Sequence, residues 1–454
     1  MNRPIHEECG IFGIWLPGRE AVSTALTGLI ALQHRGQESA GISWSQQGEL
    51  LEKRGMGLVE DVFGSFDYRA VPAHAAIGHV RYSTMGKSSL VNAQPLTFSS
   101  RMGPLALAHN GNLVNAPAIR TQLEQQGSIF QTSSDLEVVA HLLARATTTD
   151  LDRALVSALG QVRGAYALLI LTPQRLLAVR DPNGIRPLVL GKFRGGWVAA
   201  SETCALDTVG AEFVREVEPG EMVSMSNRGL ESVPLFPPRQ HAFCIFEFIY
   251  FARPDSVFMG RNVHMVRREL GRALAREAPA EADIVTGVPD SSLSAAAGYA
   301  EAAGLPYETG LIRNRYLGRT FIRPCQQQRD LGVALKLNPI RGVVAGKRVV
   351  LVDDSLIRGT TSLRIVQLLK EAGAREVHLR IASPPIAFSC GLGIDTKDDL
   401  VAARMGPGEI REYVGADSLE FLSPEGMVAA TGFNAKQLCL GCFLGNHPIR
   451  RVER

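Results

Sequence analysis

The 454 residues contain no apolar run near the ~18 that a membrane helix requires, so a soluble protein without a membrane partner is expected. Basic and acidic residues nearly cancel, 48 Lys and Arg against 45 Asp and Glu. The net charge of +3 lacks the clustered basic excess of a nucleic-acid binder. Neither G-x-x-x-x-G-K-[ST] nor G-x-G-x-x-G occurs, which removes the P-loop and the dinucleotide fingerprint. Internal repeats, heptads and low-complexity tracts are also missing. Cysteines number seven, an odd count scattered without a secretory leader. That pattern favours a reducing compartment, taken as the cytoplasm, and metal or catalytic thiols over disulfides.

The length allows two domains, each with its own core. In the first half, short strands (CGIFGIWL, AAIGHVRYST, PLALAHNGNL, AYALLILT, RLLAVRD, WVAASET) alternate with helical stretches such as ALTGLIALQH and DLEVVAHLLARA. This pattern predicts an α+β layered domain. Pro234 to Gln240, PLFPPRQ, breaks the composition and reads as a linker. Beyond it the order becomes strand, turn, helix. VHMVRRELGRALAREA places Val266, Leu270 and Leu274 on one helical face, and ADIVTGV reads as a buried strand. KRVVLVDDS, TSLRIVQLLKEAGA and REVHLRIAS then form a βαβ unit, which implies a doubly wound parallel sheet with ligands at the strand carboxyl ends.

Cys9 stands in HEECGIFGIW, after a leader with no apolar core. Cleavage between Glu8 and Cys9 would leave a thiol and a free α-amine on one residue. An α-amine titrating near pH ~8 can take the thiol proton, giving a nucleophile with its own base. The plain alternative is a small residue buried at a strand start.

VVLVDDSLIRGTTS is the sharpest motif of the second half. Val349 to Val352 form the strand, Asp353 and Asp354 its carboxyl end, and Ser355 to Ser362 the turn into a helix. Main-chain N–H groups at such a helix start bind phosphate. Two carboxylates beside it call for Mg²⁺ and vicinal sugar hydroxyls as intermediaries, so a phosphorylated ribose is the expected ligand. GVPDSS, Gly287 to Ser292, follows another strand and offers Asp290, Ser291 and Ser292 as a second cradle, suited to pyrophosphate.

These two motifs resemble the type I phosphoribosyltransferases. With RNRYLGRTFIRP, Arg313 to Pro324, nearly the whole chain is similar to the glutamine phosphoribosylpyrophosphate amidotransferase family. The resemblance implies a propeptide, residues 1–8, and an α+β N-terminal nucleophile glutaminase domain of layered antiparallel sheets with helices, residues 9–235. An α/β phosphoribosyltransferase domain with a doubly wound, mainly parallel sheet and a cluster-binding end would then fill residues 241–454. It implies Asp353 and Asp354 on the ribose hydroxyls and Mg²⁺, with Ser291 as a further metal contact. Ser355, Arg358, Gly359, Thr360, Thr361 and Ser362 would surround the 5-phosphate, and Tyr316, Arg319, Thr320, Phe321 and Ile322 would form a closing loop. In the class II glutaminase half, Cys9 would be the nucleophile, Asn110 and Gly111 the oxyanion hole, Arg81 and Asp135 the clamps for the α-carboxylate and α-ammonium of glutamine. Arg35 and Gly36, in QHRGQES, would shape the pocket. Ammonia freed there would cross to displace pyrophosphate, opening purine synthesis under feedback by purine nucleotides, in a homo-oligomer expected to be a tetramer.

Cys439 and Cys442 form a CxxC pair, with Cys244 and Cys390 far away in sequence. From the residues alone they are either buried small side chains or thiolate ligands, with His241 a competitor. The resemblance implies a four-iron four-sulfur cluster on Cys244, Cys390, Cys439 and Cys442, although Gly391 stands where the family suggests a bulkier residue. Two other readings exist. Another class II amidotransferase lacks support because no ATP-pyrophosphatase loop is present. A nonenzymatic sensor of phosphoribosyl pyrophosphate is disfavoured by Cys9, Arg81, Asn110 and Asp135 together.

Overall fold

The computed structural model describes residues 9–18, 20–82, 88–314, 337–393 and 400–449. Alternation builds its first half. In the strand Gly10–Trp15, Phe12 and Ile14 point to one apolar cluster while Ile11 and Trp15 point to another, the period of two that a strand buried on both faces requires. That strand lies inside a seven-stranded sheet between Gly196–Ala200 and Ala75–Arg81, both antiparallel to it. A six-stranded antiparallel sheet, with Gly103–Leu113 beside Gly164–Leu171, packs face to face against the first. Between them Ile11, Ile77, Ala106, Ala108, Ala167 and Leu169 interdigitate, and small alanines let the layers approach. Helices cover both outer faces: Ala21–Ala31 and Thr203–Val209 on one, Leu136–Ala144 and Leu151–Leu159 on the other.

In the second half, Ile284–Gly287, Arg348–Asp353, Glu376–Ile381 and Ser418–Phe421 pair in parallel, in that order. A parallel bridge from Val285 to Tyr307 adds a further edge position beside the first of these strands. The spatial order is therefore second, first, third, fourth, fifth, the doubly wound arrangement in which ligands sit where the order reverses. That point lies between the ends of Ile284–Gly287 and Arg348–Asp353. Val350 and Val352 face one core, while Val349 and Leu351 face another, so both sides of the sheet are buried under helices such as Val263–Glu277 and Thr360–Glu371. Val266, Leu270 and Leu274 all sit in the core, as their spacing predicts.

The halves share apolar packing. Ala165 and Ile185 of the first join Phe243, Ile245 and Phe246 of the second in one cluster. Between them, Ala242 N–H donates to Asn183 O at 2.8 Å, and Cys244 N–H to Ile185 O at 3.1 Å. Among the described residues, no helix is long and apolar enough to cross a membrane.

Gly28 marks the tightest helix-to-sheet contact, since a Cβ there would lie 2.3 Å from the Phe12 ring. Gly28→Val should therefore lower stability by about 1–3 kcal/mol through overpacking. Gly18→Val, at a position with nothing within 4 Å, should leave it nearly unchanged in the same thermal melt.

Candidate active sites

Cys9 directly precedes the pair Gly10↔Val80, so antiparallel register carries it level with Arg81. Its thiol donates to Tyr82 O at 3.3 Å, and its carbonyl accepts from Arg35 Nε at 3.1 Å. Cys9, Arg35 and Arg81 are all buried. The neighbouring sheet brings Asn110 and Gly111 on the strand Gly103–Leu113. Two histidines join the layers. Because a carbonyl only accepts, His79 carries its proton on Nε2, which donates to His109 O at 3.1 Å. Burial pushes the His79 imidazole down to about 3, so it is neutral at physiological pH. Burial also lowers His109, whose Nδ1 lies 3.9 Å from Asp135 Oδ1.

In this buried region His79 Nδ1, His109 Nε2 and Asn112 Oδ1 each lack a hydrogen-bond partner, but Asn110 lacks one at both of its polar atoms. It is 1% exposed, and neither its Nδ2 nor its Oδ1 has a hydrogen-bond partner in the protein. Buried amides are almost always satisfied, so an orphaned pair at a strand end fits a ligand-binding group. Gly111 has φ +143°, and a Cβ on it would come 2.0 Å from Ala165 O, so only glycine permits this close pairing. Asp135 precedes the helix Leu136–Ala144 and accepts from Leu113 N–H at 2.9 Å. Arg81, Asn110, Gly111 and Asp135 thus lie on adjoining segments around Cys9.

The second site forms at the sheet's switch point. Asp353 ends its strand, and Asp354 follows. Ser292 Oγ donates to Asp353 Oδ1 at 2.9 Å and to Asp354 Oδ2 at 3.4 Å, Ser355 Oγ donates to Asp354 Oδ1 at 2.6 Å, and Ser291 Oγ donates to Asp354 Oδ2. Burial raises both carboxyls above the usual carboxylate range, with Asp354 adding repulsion at Asp353. Such a pair favours a proton or a cation. Arg358 and Gly359 lead into the helix Thr360–Glu371, whose first residues Thr360, Thr361 and Ser362 present N–H groups that no preceding turn can satisfy. Asp290 turns outward instead, paired with Arg313 Nη1 at 2.8 Å.

The leader, residues 1–8, and the loop residues Tyr316, Arg319, Thr320, Phe321 and Ile322 lie outside the described residues. The flanking strands Leu311–Arg313 and Leu337–Pro339 pair with each other beside this site.

Cys244, Cys390, Cys439 and Cys442 are buried and in no disulfide. Cys244 is in register with Cys439 on two short parallel strands. Burial pushes the Cys439 thiol up to about 12, reinforced by Cys390; burial also raises Cys442, which feels Cys390, Cys439 and Cys244. The four therefore share one apolar pocket. Among the described residues, no three ligating side chains stand at metal-holding spacing. This segment also docks on the first half: Asn112 Nδ2 donates to Gly391 O at 2.6 Å, and Arg186 Nη2 to Leu392 O at 2.7 Å.

Motif reading passed over His79 and His109, which sit inside quoted strings but looked like filler, and Arg186, Arg267 and Glu247. Their only sequence signal was a charge or imidazole within an apolar stretch.

A buried thiol ahead of a central strand, an orphaned amide on the facing sheet and a carboxylate-and-helix cradle at the switch point of a parallel sheet suit a glutamine-cleaving unit coupled to a sugar-phosphate transferase. Family models agree: a glutamine amidotransferase domain matches residues 79–208, and a phosphoribosyl transferase domain matches residues 256–382. The amidophosphoribosyltransferase of Bacillus subtilis is 52% identical over 452 residues, covering 98% of this chain and 94% of that protein. The one of Archaeoglobus fulgidus is 47% identical, covering 97% and 98%. A solved structure of the glutamine phosphoribosylpyrophosphate amidotransferase from B. subtilis, complexed with ADP and GMP, superposes with TM-score 0.93 at 51% identity, covering 98% of each chain. Another, described as the allosteric regulatory enzyme of purine biosynthesis, gives TM-score 0.94 at 52% identity, covering 98% of this chain and 97% of that one. The chain belongs to the amidophosphoribosyltransferase family.

The raised carboxyls have a definite pH sign. In the ligand-free protein they hold protons more tightly than in the unfolded chain, so their contribution to stability is present below about pH 4 and is lost as pH rises through their raised values. Asp354→Asn should reduce this loss, because it removes one of the two raised carboxyls and its repulsion of the other. Melts at about pH 5.5 and 8 without Mg²⁺ should therefore differ less for the variant than for the unaltered protein.

Proposed function

We propose that the two sites run one reaction in sequence: glutamine, water and 5-phosphoribosyl 1-pyrophosphate give glutamate, pyrophosphate and 5-phosphoribosylamine, the first step of purine biosynthesis. The observation that carries the glutamine half is Asn110, whose buried amide has no partner within the protein. Residues 9–235 would form the glutaminase unit and residues 241–454 the transferase unit, with 1–8 removed as a propeptide. Once Cys9 is the first residue, its α-amine accepts the thiol proton and the sulfur attacks the side-chain amide of glutamine. Arg81 holds the α-carboxylate and Asp135 the α-ammonium. The Asn110 amide and Gly111 N–H donate to the oxyanion, an interaction worth roughly 3 to 4 kcal/mol where one such donor is removed. The thioester is cleared by water, and ammonia passes to the sugar site without entering bulk solvent, where it would protonate.

There, the first N–H groups of the helix Thr360–Glu371, with Ser355 and Arg358, hold the 5-phosphate. Asp353 and Asp354 accept from the ribose hydroxyls, and Ser291, Ser292 and Asp290 line the pyrophosphate side. Mg²⁺, held by Asp353, Asp354 and Ser291, would neutralise the departing pyrophosphate. Tyr316, Arg319, Thr320, Phe321 and Ile322 would close over the sugar. The raised carboxyls support this reading, because a cation is what such a pair lacks. Cys244, Cys390, Cys439 and Cys442 would hold a four-iron four-sulfur cluster that fixes the C-terminal segment; their shared pocket supports it, and no electron moves in the reaction. Purine nucleotides would act as feedback ligands, a role consistent with the ADP and GMP bound to the B. subtilis relative. A cytoplasmic homotetramer completes the proposal.

Cys9→Ala should abolish glutamine-dependent synthesis while synthesis from ammonium salts continues; persisting glutaminase activity would remove Cys9 from the mechanism. Asn110→Ala should lower glutamine-dependent turnover by about 10²–10³-fold with the ammonium-dependent rate retained. Iron and acid-labile sulfide in anaerobically purified protein test the cluster, and a protein free of both would refute it.

A further inference from the structure

Arg35 is 1% exposed and lies in the short turn Gln33–Arg35 that follows the first helix. Its Nε donates to the Cys9 carbonyl at 3.1 Å. Both Nη groups reach carboxylates: Nη1 meets Glu202 at 2.6 Å and Glu247 at 2.9 Å, and Nη2 meets Glu247 at 2.8 Å. Glu202 belongs to the same half as Arg35. Glu247 belongs to the other half, 212 residues along the chain, where it opens the π-helical turn Glu247–Phe251. Its side chain, like that of Arg35, is 0% exposed.

A guanidinium is a rigid planar fork, so the direction of Nε follows from how the two Nη groups are held. Glu202 touches only one of them and cannot fix the plane. Glu247 bonds both and does. The turn that carries Glu247 is itself fastened at both ends by Arg267, whose Nε donates to Phe248 O at 2.7 Å and whose Nη2 donates to Ala252 O at 2.9 Å. Arg267 lies on the helix Val263–Glu277 within electrostatic reach of Asp354.

We propose that Glu247, supplied by the phosphoribosyltransferase half, is a positioning residue for glutamine cleavage: through Arg35 it fixes the Cys9 carbonyl and so the direction in which the thiol and its amine face the substrate. The inference rests on Cys9 being the nucleophile. It assigns Glu247 no contact with glutamine, ribose or phosphate, and so separates an effect on the rate of cleavage from one on binding.

The full-length Glu247→Gln protein tests this, because glutamine matches glutamate in size but lacks the charge that holds both arms of the fork. At saturating glutamine, kcat for glutamine hydrolysis should fall about tenfold or more, while KM for glutamine changes less than about threefold. Synthesis from ammonium salts should stay within about twofold of the unaltered protein, since the sugar site is untouched. An unchanged kcat overturns the proposal, as does a parallel loss of both activities, which would make the pair a purely structural brace. Arg35→Lys, which keeps the charge but has no fork, should reproduce the pattern and serves if Glu247→Gln does not fold. Failure of both variants to fold would assign the pair to stability alone and reject the proposal. Cys9→Ala, run beside them, separates the two levels: glutaminase activity surviving there sinks the nucleophile itself, whereas its loss alongside a normal Glu247→Gln protein sinks only the role of Glu247.

Discussion

A carboxylate without access to water, Glu247, meets the guanidinium of Arg35 across the seam between the two halves, and the arrangement of both sites depends on this seam. Arg186 approaches the same carboxylate to 3.8 Å and reaches on to Leu392 O. Glu202 completes the set. Burial works to raise its carboxyl, yet His34 and Arg35 hold it well below the usual range. Buried ion pairs are weak arguments for net stability, because desolvation offsets much of the attraction. They are strong arguments for geometry. Removing one partner strands a charge, at about 3–5 kcal/mol, so rearrangements that part the halves are penalised. Apolar packing around Phe243 and Ile185 excludes the water that would soften that penalty.

The two sites use opposite electrostatics. Around Cys9 the buried side chains include the guanidinium groups of Arg35 and Arg81, His79 is held uncharged by burial, and the Asn110 amide is left without a partner. A developing oxyanion meets dipoles already pointed, with no counter-ion to displace. At the sheet's switch point, Asp353 and Asp354 crowd negative charge that serine hydroxyls relieve only in part. The ligand-free sugar site is strained toward whatever positive charge can enter. A shared seam lets one chain keep both environments.

Much of this was legible in residue order. CGIFGIWL read as a strand, as Gly10–Trp15 is, and VVLVDDSLIRGTTS placed its two aspartates at a strand end because four consecutive apolar β-formers leave little else for them to be. The face carrying Val266, Leu270 and Leu274 followed from a helical period. Other features depend on distance in the chain. Nothing local in QHRGQES indicates a partner 212 residues away, and nothing in FEFIYF indicates a π-helical turn, since neither has a period or a spacing. The bridge at Tyr307, which sets the order of the parallel sheet, is too short for any pattern. The helix Ala21–Ala31 begins before ALTGLIALQH, and its continuation shortens into the turn bearing Arg35 where the chain must swing back to Cys9.

Gly391, the residue that departs from the expected bulk, shows what kind of contact holds the seam. Asn112 grips it by the main-chain oxygen, an atom that every amino acid supplies. The hydrogen bond that docks the thiol-bearing segment on the strand carrying Asn110 and Gly111 therefore asks for no side chain at that position.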